Sequence, residues 1–117
     1  MKTLLGNLNN ELKSLETVST FCEYYDYIKI STTCPINYSD EFLVLYAKIE
    51  NDGILISDLN SIFEDAVLNG ISVEVLKQTA ENEKLNFDGI AVFVKTSVNN
   101  VGSAINSFFN VVRKLDI

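Results

Sequence analysis

FLVLYAKIENDGILISD, residues 42–58, decides the fold. Phe42–Ile49 is almost continuously apolar, which predicts a strand at the centre of a sheet with cover on much of both faces. Asn51-Asp52-Gly53 follows, and Asp-Gly supplies the positive φ that a tight hairpin needs, so Ile54–Ile56 pairs back on the first strand. Ser57-Asp58 then opens a helix, because both side chains accept hydrogen bonds from the first free N–H groups and a carboxylate suits the positive helix end. Leu59, Ile62, Phe63, Ala66 and Val67 form that helix's buried stripe, and Gly70 closes it.

Upstream, Leu4, Leu5, Leu8, Leu12 and Leu15 recur at spacings of three and four, which predicts an amphipathic helix over 4–18. Strands are expected at 20–24 and 27–32, broken at Tyr25-Asp26. In the second, Ile28 and Ile30 share one face while Tyr27 and Lys29 share the other. Cys34-Pro35 ends it, since proline removes a ladder donor, and residues 36–40 form a polar loop. Downstream, Ser72 caps a short helix over 73–83 that buries Val73, Val75, Leu76 and Ala80. Leu85–Phe87 and Ile90–Lys95 make a second hairpin around Asp88-Gly89.

The final helix, 98–115, carries Val98, Val101, Ile105, Phe108, Phe109, Val112 and Leu115 with a 3.6-residue period. Adjacent Phe108 and Phe109 diverge by about 100° around the axis, so one of them reaches the edge of the buried stripe or a homodimer contact. Hairpins dominate and no regular strand–helix alternation exists. The expectation is one α+β domain over 1–117. It has a mainly antiparallel sheet of about five to six strands, with an N-terminal helix, a middle helix pair and a long C-terminal helix packed on it.

The composition excludes several classes. With 47% hydrophobic residues, 117 residues can bury one core without metal or disulfide staples, so Cys22 and Cys34 read as two buried thiols in a reducing compartment, with a bridge between them as the alternative. The net charge of −7 argues against direct binding of nucleic acid or an anionic membrane. No stretch approaches the roughly 20 apolar residues of a membrane span. The opening Met1-Lys2-Thr3-Leu4-Leu5 is interrupted by Asn7, Asn9, Asn10 and Glu11 too early for a signal peptide, so the expectation is a cytoplasmic chain.

The stretch 42–59 (FLVLYAKIENDGILISDL), the later LNFDGIAVFV (85–94) and the upstream YIKISTTCPI (27–36) together resemble a family of small uncharacterised domains from Gram-positive bacteria and their phages. In that family an isoleucine-rich strand ends near Thr-Pro. An acidic loop, a strand, a glycine turn and an I-S-D or L-T-D step into a helix follow. This chain has Thr33-Cys34-Pro35 for the Thr-Pro, and Leu59-Asn60 where the family often has a glycine. No activity is established for the family, so the resemblance transfers no catalytic residue. It implies a phage or mobile-element setting inside a bacterial cell.

The chain has no histidine, which removes the commonest general base and metal ligand. Its five glycines are isolated, so no phosphate loop exists. Asp40, Glu41, Asp52 and Asp58 lie near strand ends. Were they to converge they would suit a divalent cation, giving a small metal-dependent enzyme or ligand-binding domain as the alternative. Each has a simpler role, however: Asp58 as a helix cap, Asp52 in a turn, and Glu64 and Asp65 on a solvated helix face. No catalytic residue, metal ligand or cofactor is assigned.

Two clusters remain. Residues 40–65 hold Asp40, Glu41, Glu50, Asp52, Asp58, Glu64 and Asp65 against one base, Lys48, a net of −6 on a chain of −7. All five tyrosines, Tyr24, Tyr25, Tyr27, Tyr38 and Tyr46, fall within residues 24–46. Clustered carboxylates attract a basic partner, and tyrosine contributes interface area at little entropic cost. The expectation is a non-enzymatic protein that binds a host or phage protein with a basic surface. The contact residues would be Asp40, Glu41, Glu50, Asp52, Glu64, Asp65, Tyr25, Tyr27 and Tyr38. A sharper form is inhibition of a host defence complex by occupying its nucleic-acid groove. A homo-oligomeric structural subunit, associating through the last helix or a sheet edge, is the third reading.

Overall fold

A computed structural model describes residues 2–36, 41–51 and 53–117. The order is α1 (Lys2–Ser14), β1 (Val18–Tyr24), β2 (Tyr27–Pro35), β3 (Phe42–Glu50), β4 (Gly53–Ser57), α2 (Ser61–Leu68), α3 (Val73–Asn82), β5 (Asn86–Phe87), β6 (Val92–Thr96), a 3-10 turn (Val98–Asn100) and α4 (Val101–Leu115). The six strands form one sheet in the order β1-β2-β3-β4-β6-β5. Every neighbouring pair is antiparallel. The α+β architecture expected from the sequence is the architecture present.

β3 lies inside the sheet between β2 and β4, as its apolar run predicts. Its cover differs from expectation. Leu43, Leu45 and Ala47 are buried, while Val44, Tyr46 and Lys48 are half-buried on the opposite face. The opposite face is open except at the start of α2, where Ser57 is buried and Val44 and Tyr46 line a hollow with Glu64, Asp65 and Leu68. The core joins Leu8 and Leu12 of α1 to Ile28, Ile30, Leu45, Ala47, Ile54 and Ile56 of the sheet. Ile62, Leu76, Ile105 and Phe108 of the other helices complete it. The period-2 alternation of β3 is masked in the sequence because its outward positions carry Val44 and Tyr46, apolar enough to imitate burial.

In the first hairpin the positive φ falls at Asn51 and not at Gly53, which is already paired with Glu50 in β4; the later turns follow their chemistry. β3 and β4 pair from Tyr46↔Ser57 to Glu50↔Gly53, leaving Asn51 at φ +48 in the two-residue connection, whose second residue, Asp52, lies outside the described residues. In the β5–β6 hairpin Asp88 Oδ1 accepts from Ile90 N (2.9 Å) and Ala91 N (2.8 Å), and Gly89 takes φ +100. Gly70 takes φ +74 just past α2, where Ile71 N donates back to Ala66 O at 2.9 Å. Ser72 Oγ accepts from Val75 N at 3.2 Å and caps α3.

Several boundaries differ from the sequence reading. α1 ends at Ser14, because Val18 is already paired with Thr32 in β1. β2 continues through Cys34 to Pro35, which pairs with Phe42 after a break in register. Thr32 anchors that break: its hydroxyl is buried, donates to Leu43 O at 2.6 Å and accepts from Cys34 N at 3.3 Å. A proline at a strand end costs no interior ladder bond, so the strand extends as far as Pro35 and ends there.

α2 begins at Ser61, three residues after Asp58. Val67, Val73 and Val75 are exposed, and α3 buries only Leu76 and Ala80. Phe108 and Phe109 are both buried, the second with the Arg113 guanidinium 5.7 Å from its ring centre. Of the thiols, Cys34 is buried and Cys22 is exposed on the outward face of β1; both are free.

Candidate functional site

A cleft of about 490 Å³ opens where β3 begins and α2 begins. Ile36, Phe42, Leu43, Val44, Tyr46, Leu59 and Leu68 give it apolar and aromatic walls, and Glu41, Asp58, Glu64 and Asp65 line it with carboxylates; among the described residues no lysine or arginine lines it. The helix α2 brings Glu64 and Asp65 there, one turn in from its start, and Glu41 enters from the first residue before β3. Burial, then Glu64, then Glu41 push the Asp65 carboxyl above its ordinary range. Glu64 and Glu41 are therefore near enough to Asp65 to oppose its charge.

Asp58 plays a different part from the other three. It is 1% exposed. Its Oδ1 accepts from Asn60 N (3.1 Å) and from Val92 N on β6 (2.9 Å), and its Oδ2 accepts from Ile62 N in α2 (2.9 Å). Its own backbone N–H donates to Val92 O at 3.1 Å. The residue thus caps α2, as its type predicts, and also staples the β4–α2 connection to β6 across 34 residues of sequence. Burial raises its pKa to about 6, against the downward pull of the amide donors.

The backbone beside it is strained. Leu59 and Asn60 take φ +57 and +118, values that L-residues avoid. Ser57 Oγ, accepting from Leu59 N at 3.0 Å, and Asp58 Oδ1 hold the turn. Such conformations cost of order 1–3 kcal/mol each and persist only where surroundings over-determine them. Asn60→Gly is expected to raise the free energy of unfolding by about 1 kcal/mol, read as a higher urea midpoint at unchanged slope. A lower midpoint would mean that the Asn60 side chain contributes more than its backbone costs.

The second feature is the uncovered face of the sheet. The strand registers lay out two rows across it. One runs Tyr24, Tyr27, Lys48, Leu55, Lys95, with the Lys48 ammonium 5.7 Å from the Tyr27 ring centre. The other runs Cys22, Lys29, Tyr46, Ser57, Phe93. Tyr46 touches both Tyr24 (5.5 Å between ring centres) and Tyr27 (6.1 Å). Lys29 lies 5.8 Å from the Tyr24 ring centre.

The expected contact residues divide between these places. Glu41, Glu64 and Asp65 meet in the cleft. Glu50 stands at the far end of β3, about 30 Å from Glu41 at ~3.3 Å per strand residue. Tyr25 is 91% exposed at the β1–β2 turn and Tyr27 lies on the open sheet face. Asp40, Asp52 and Tyr38 lie outside the described residues. Tyr46 lines the cleft together with Glu41, Glu64 and Asp65, whereas Tyr25 and Tyr27 share a hollow with Lys48 and with Glu23 and Asp26 at the β1–β2 turn.

Of the strand-end carboxylates, Glu41 and Asp58 share the cleft, but backbone amides occupy both oxygens of Asp58. Among the described residues no three His, Cys, Asp or Glu side chains are grouped to hold a metal ion, and no helix is long and apolar enough to cross a membrane. Sequence reasoning missed the Asp58 bridge to Val92 and the lysine rows. The available signal for the rows was the shared parity of Tyr27 and Lys29, and of Tyr46 and Lys48, on neighbouring strands.

No family model matches the chain, and neither the curated proteins nor the solved structures contain a match to it.

Proposed function

We propose that this chain is a non-enzymatic interaction protein whose acidic cleft receives a basic segment of another protein. One observation carries the reading: Glu41, Glu64 and Asp65 crowd an apolar-walled cleft that, among the described residues, no lysine or arginine lines. Like charges held together raise the energy of the unbound protein, and an inserted lysine or arginine relieves it while its stem packs on Leu59 and Leu68. The resemblance to phage and Gram-positive domains supports a bacterial host cell as the setting. In its sharpest form the carboxylates stand where phosphates would in the groove of a host defence complex, and the protein acts as its inhibitor.

The test is capture of partners from bacterial lysate on the tagged protein, washed at low and then high salt. A stoichiometric partner with a basic surface, released by salt, is expected. The Glu41→Gln, Glu64→Gln, Asp65→Asn triple variant should bind it at least about tenfold more weakly. Asp65→Asn alone should melt at an equal or higher temperature, because the folded state disfavours that charge. A partner held equally by the triple variant would sink the cleft reading.

A further inference from the structure

We infer that the uncovered sheet face is a second docking surface, and that it takes an acidic segment of a partner polypeptide. The charge balance carries this independently of the cleft. The chain has sixteen acids and nine bases, so a lysine has carboxylates in excess to pair with. Lys114 pairs with Glu83, but Lys29, Lys48 and Lys95 reach no carboxylate among the described residues. All three instead stand on one side of one sheet, in the two rows described, where no acid interrupts them. Glu50, next on the same parity, closes the rim at the β3–β4 turn.

Three ammoniums with no carboxylate at ion-pair distance make a locally basic strip across this face, bounded by Glu23 and Asp26 at the β1–β2 turn and by Glu50 at the β3–β4 turn, and an external anion is drawn to its middle. Between and beside them lie half-buried apolar and aromatic side chains that the core does not cover, Tyr27, Tyr46 and Leu55 among them. Carboxylates reaching Lys29, Lys48 and Lys95 would draw an extended segment across the strands, and its apolar side chains would pack on these. Tyrosines locked against one another lose little entropy in such a contact.

Two other occupants fit less well. A second copy meeting face to face would oppose lysine to lysine. A single-stranded nucleic acid needs ring faces open for stacking, whereas Tyr27 meets Tyr46 edge-on at 79° and lysines stand over the Tyr24 and Tyr27 rings, leaving Tyr25 at the β1–β2 turn as the open ring. A net charge of −7 also repels a polyanion as a whole.

Fluorescence anisotropy with three labelled probes tests this: a short peptide of repeating Glu-Ala-Glu-Phe, its Lys-Ala-Lys-Phe counterpart, and an oligothymidylate of similar length. The Glu peptide is expected to bind, to weaken with salt, and to lose at least about tenfold in affinity to the Lys29→Gln, Lys48→Gln, Lys95→Gln variant. Glu64→Gln/Asp65→Asn should leave Glu-peptide binding intact while weakening the Lys peptide, which separates this surface from the cleft. Amide shifts on the unsubstituted protein should move along β2, β3 and β6. No binding of the Glu peptide, binding that the lysine variant retains, or shifts confined to other elements overturns the inference. Tighter binding of the oligothymidylate overturns it too, by assigning the face to nucleic acid.

Discussion

Asp58→Ala is expected to lower the free energy of unfolding at pH 7 by about 3–5 kcal/mol, the largest loss for any surface-distant polar group in this chain. The carboxylate is buried and serves three backbone amides at once, those of Asn60, Ile62 and Val92. Each buried donor left without an acceptor costs about 1–3 kcal/mol. Removing the group also frees the strained Leu59-Asn60 turn from its restraint and disconnects α2 from β6. Against a total stability of about 5–15 kcal/mol, such a loss brings the protein near unfolding at physiological temperature. Urea denaturation checks it; a loss below about 1 kcal/mol would mean that water enters and serves the amides.

The same residue predicts a pH dependence whose sign follows from linkage. Asp58 titrates near 3.8 when unfolded and near 6 when folded. Between those values the folded state holds more protons than the unfolded state, so folding is favoured by acid. Its contribution is full below about pH 4 and falls as pH rises through 6, by up to about 3 kcal/mol. Asp58→Asn keeps one oxygen acceptor but cannot titrate. The stability of the wild type relative to this variant should therefore decline between pH 4 and pH 6 and level off above. A difference that stays flat, or grows with pH, would show that the amide donors outweigh burial.

Phe108→Ala is expected to cost about 3–5 kcal/mol and to lower the melting temperature by about 10 °C or more. Phe108 is fully buried and heads the largest side chains of the core, at the middle of α4. It shares that core with residues of the sheet and of α1, α2 and α3. Alanine removes its apolar area and leaves a cavity that rigid neighbours fill only in part. Phe108→Leu, which keeps most of the volume, should cost about 1–2 kcal/mol. An alanine variant within about 1 kcal/mol of wild type would mean that α4 does not pack against the sheet at this point.

Much of this architecture was legible in particular residues. The period of α4 could be read because its apolar positions recur over four turns without a competing pattern. The two hairpins were legible because Asp-Gly steps stood between apolar runs, and the caps at Ser72 and Gly70 because few residue types suit those positions. The buried stripes of α2 and α3 were overestimated. Val67, Val73 and Val75 satisfy helical spacing yet face solvent, since spacing names a face without naming its neighbour. β3 misled for the converse reason: Val44 and Tyr46 are apolar without being covered.

The candidate sites were legible only as clusters along the chain. A window of charge puts Glu41, Glu50, Glu64 and Asp65 in one group, but β3 carries Glu41 and Glu50 to opposite ends, while α2 returns Glu64 and Asp65 to the first of them. Local sequence by itself determined which segments are strands, helices and turns, and that the sheet is antiparallel, because those outcomes depend on neighbours a few residues apart. Only the tertiary structure decided that Asp58 meets Val92, that three carboxylates share a cleft, and that lysines stand among the tyrosines on the open face. These depend on strand order and register, which set the distance between residues far apart in the chain and are fixed by the packing of the whole core.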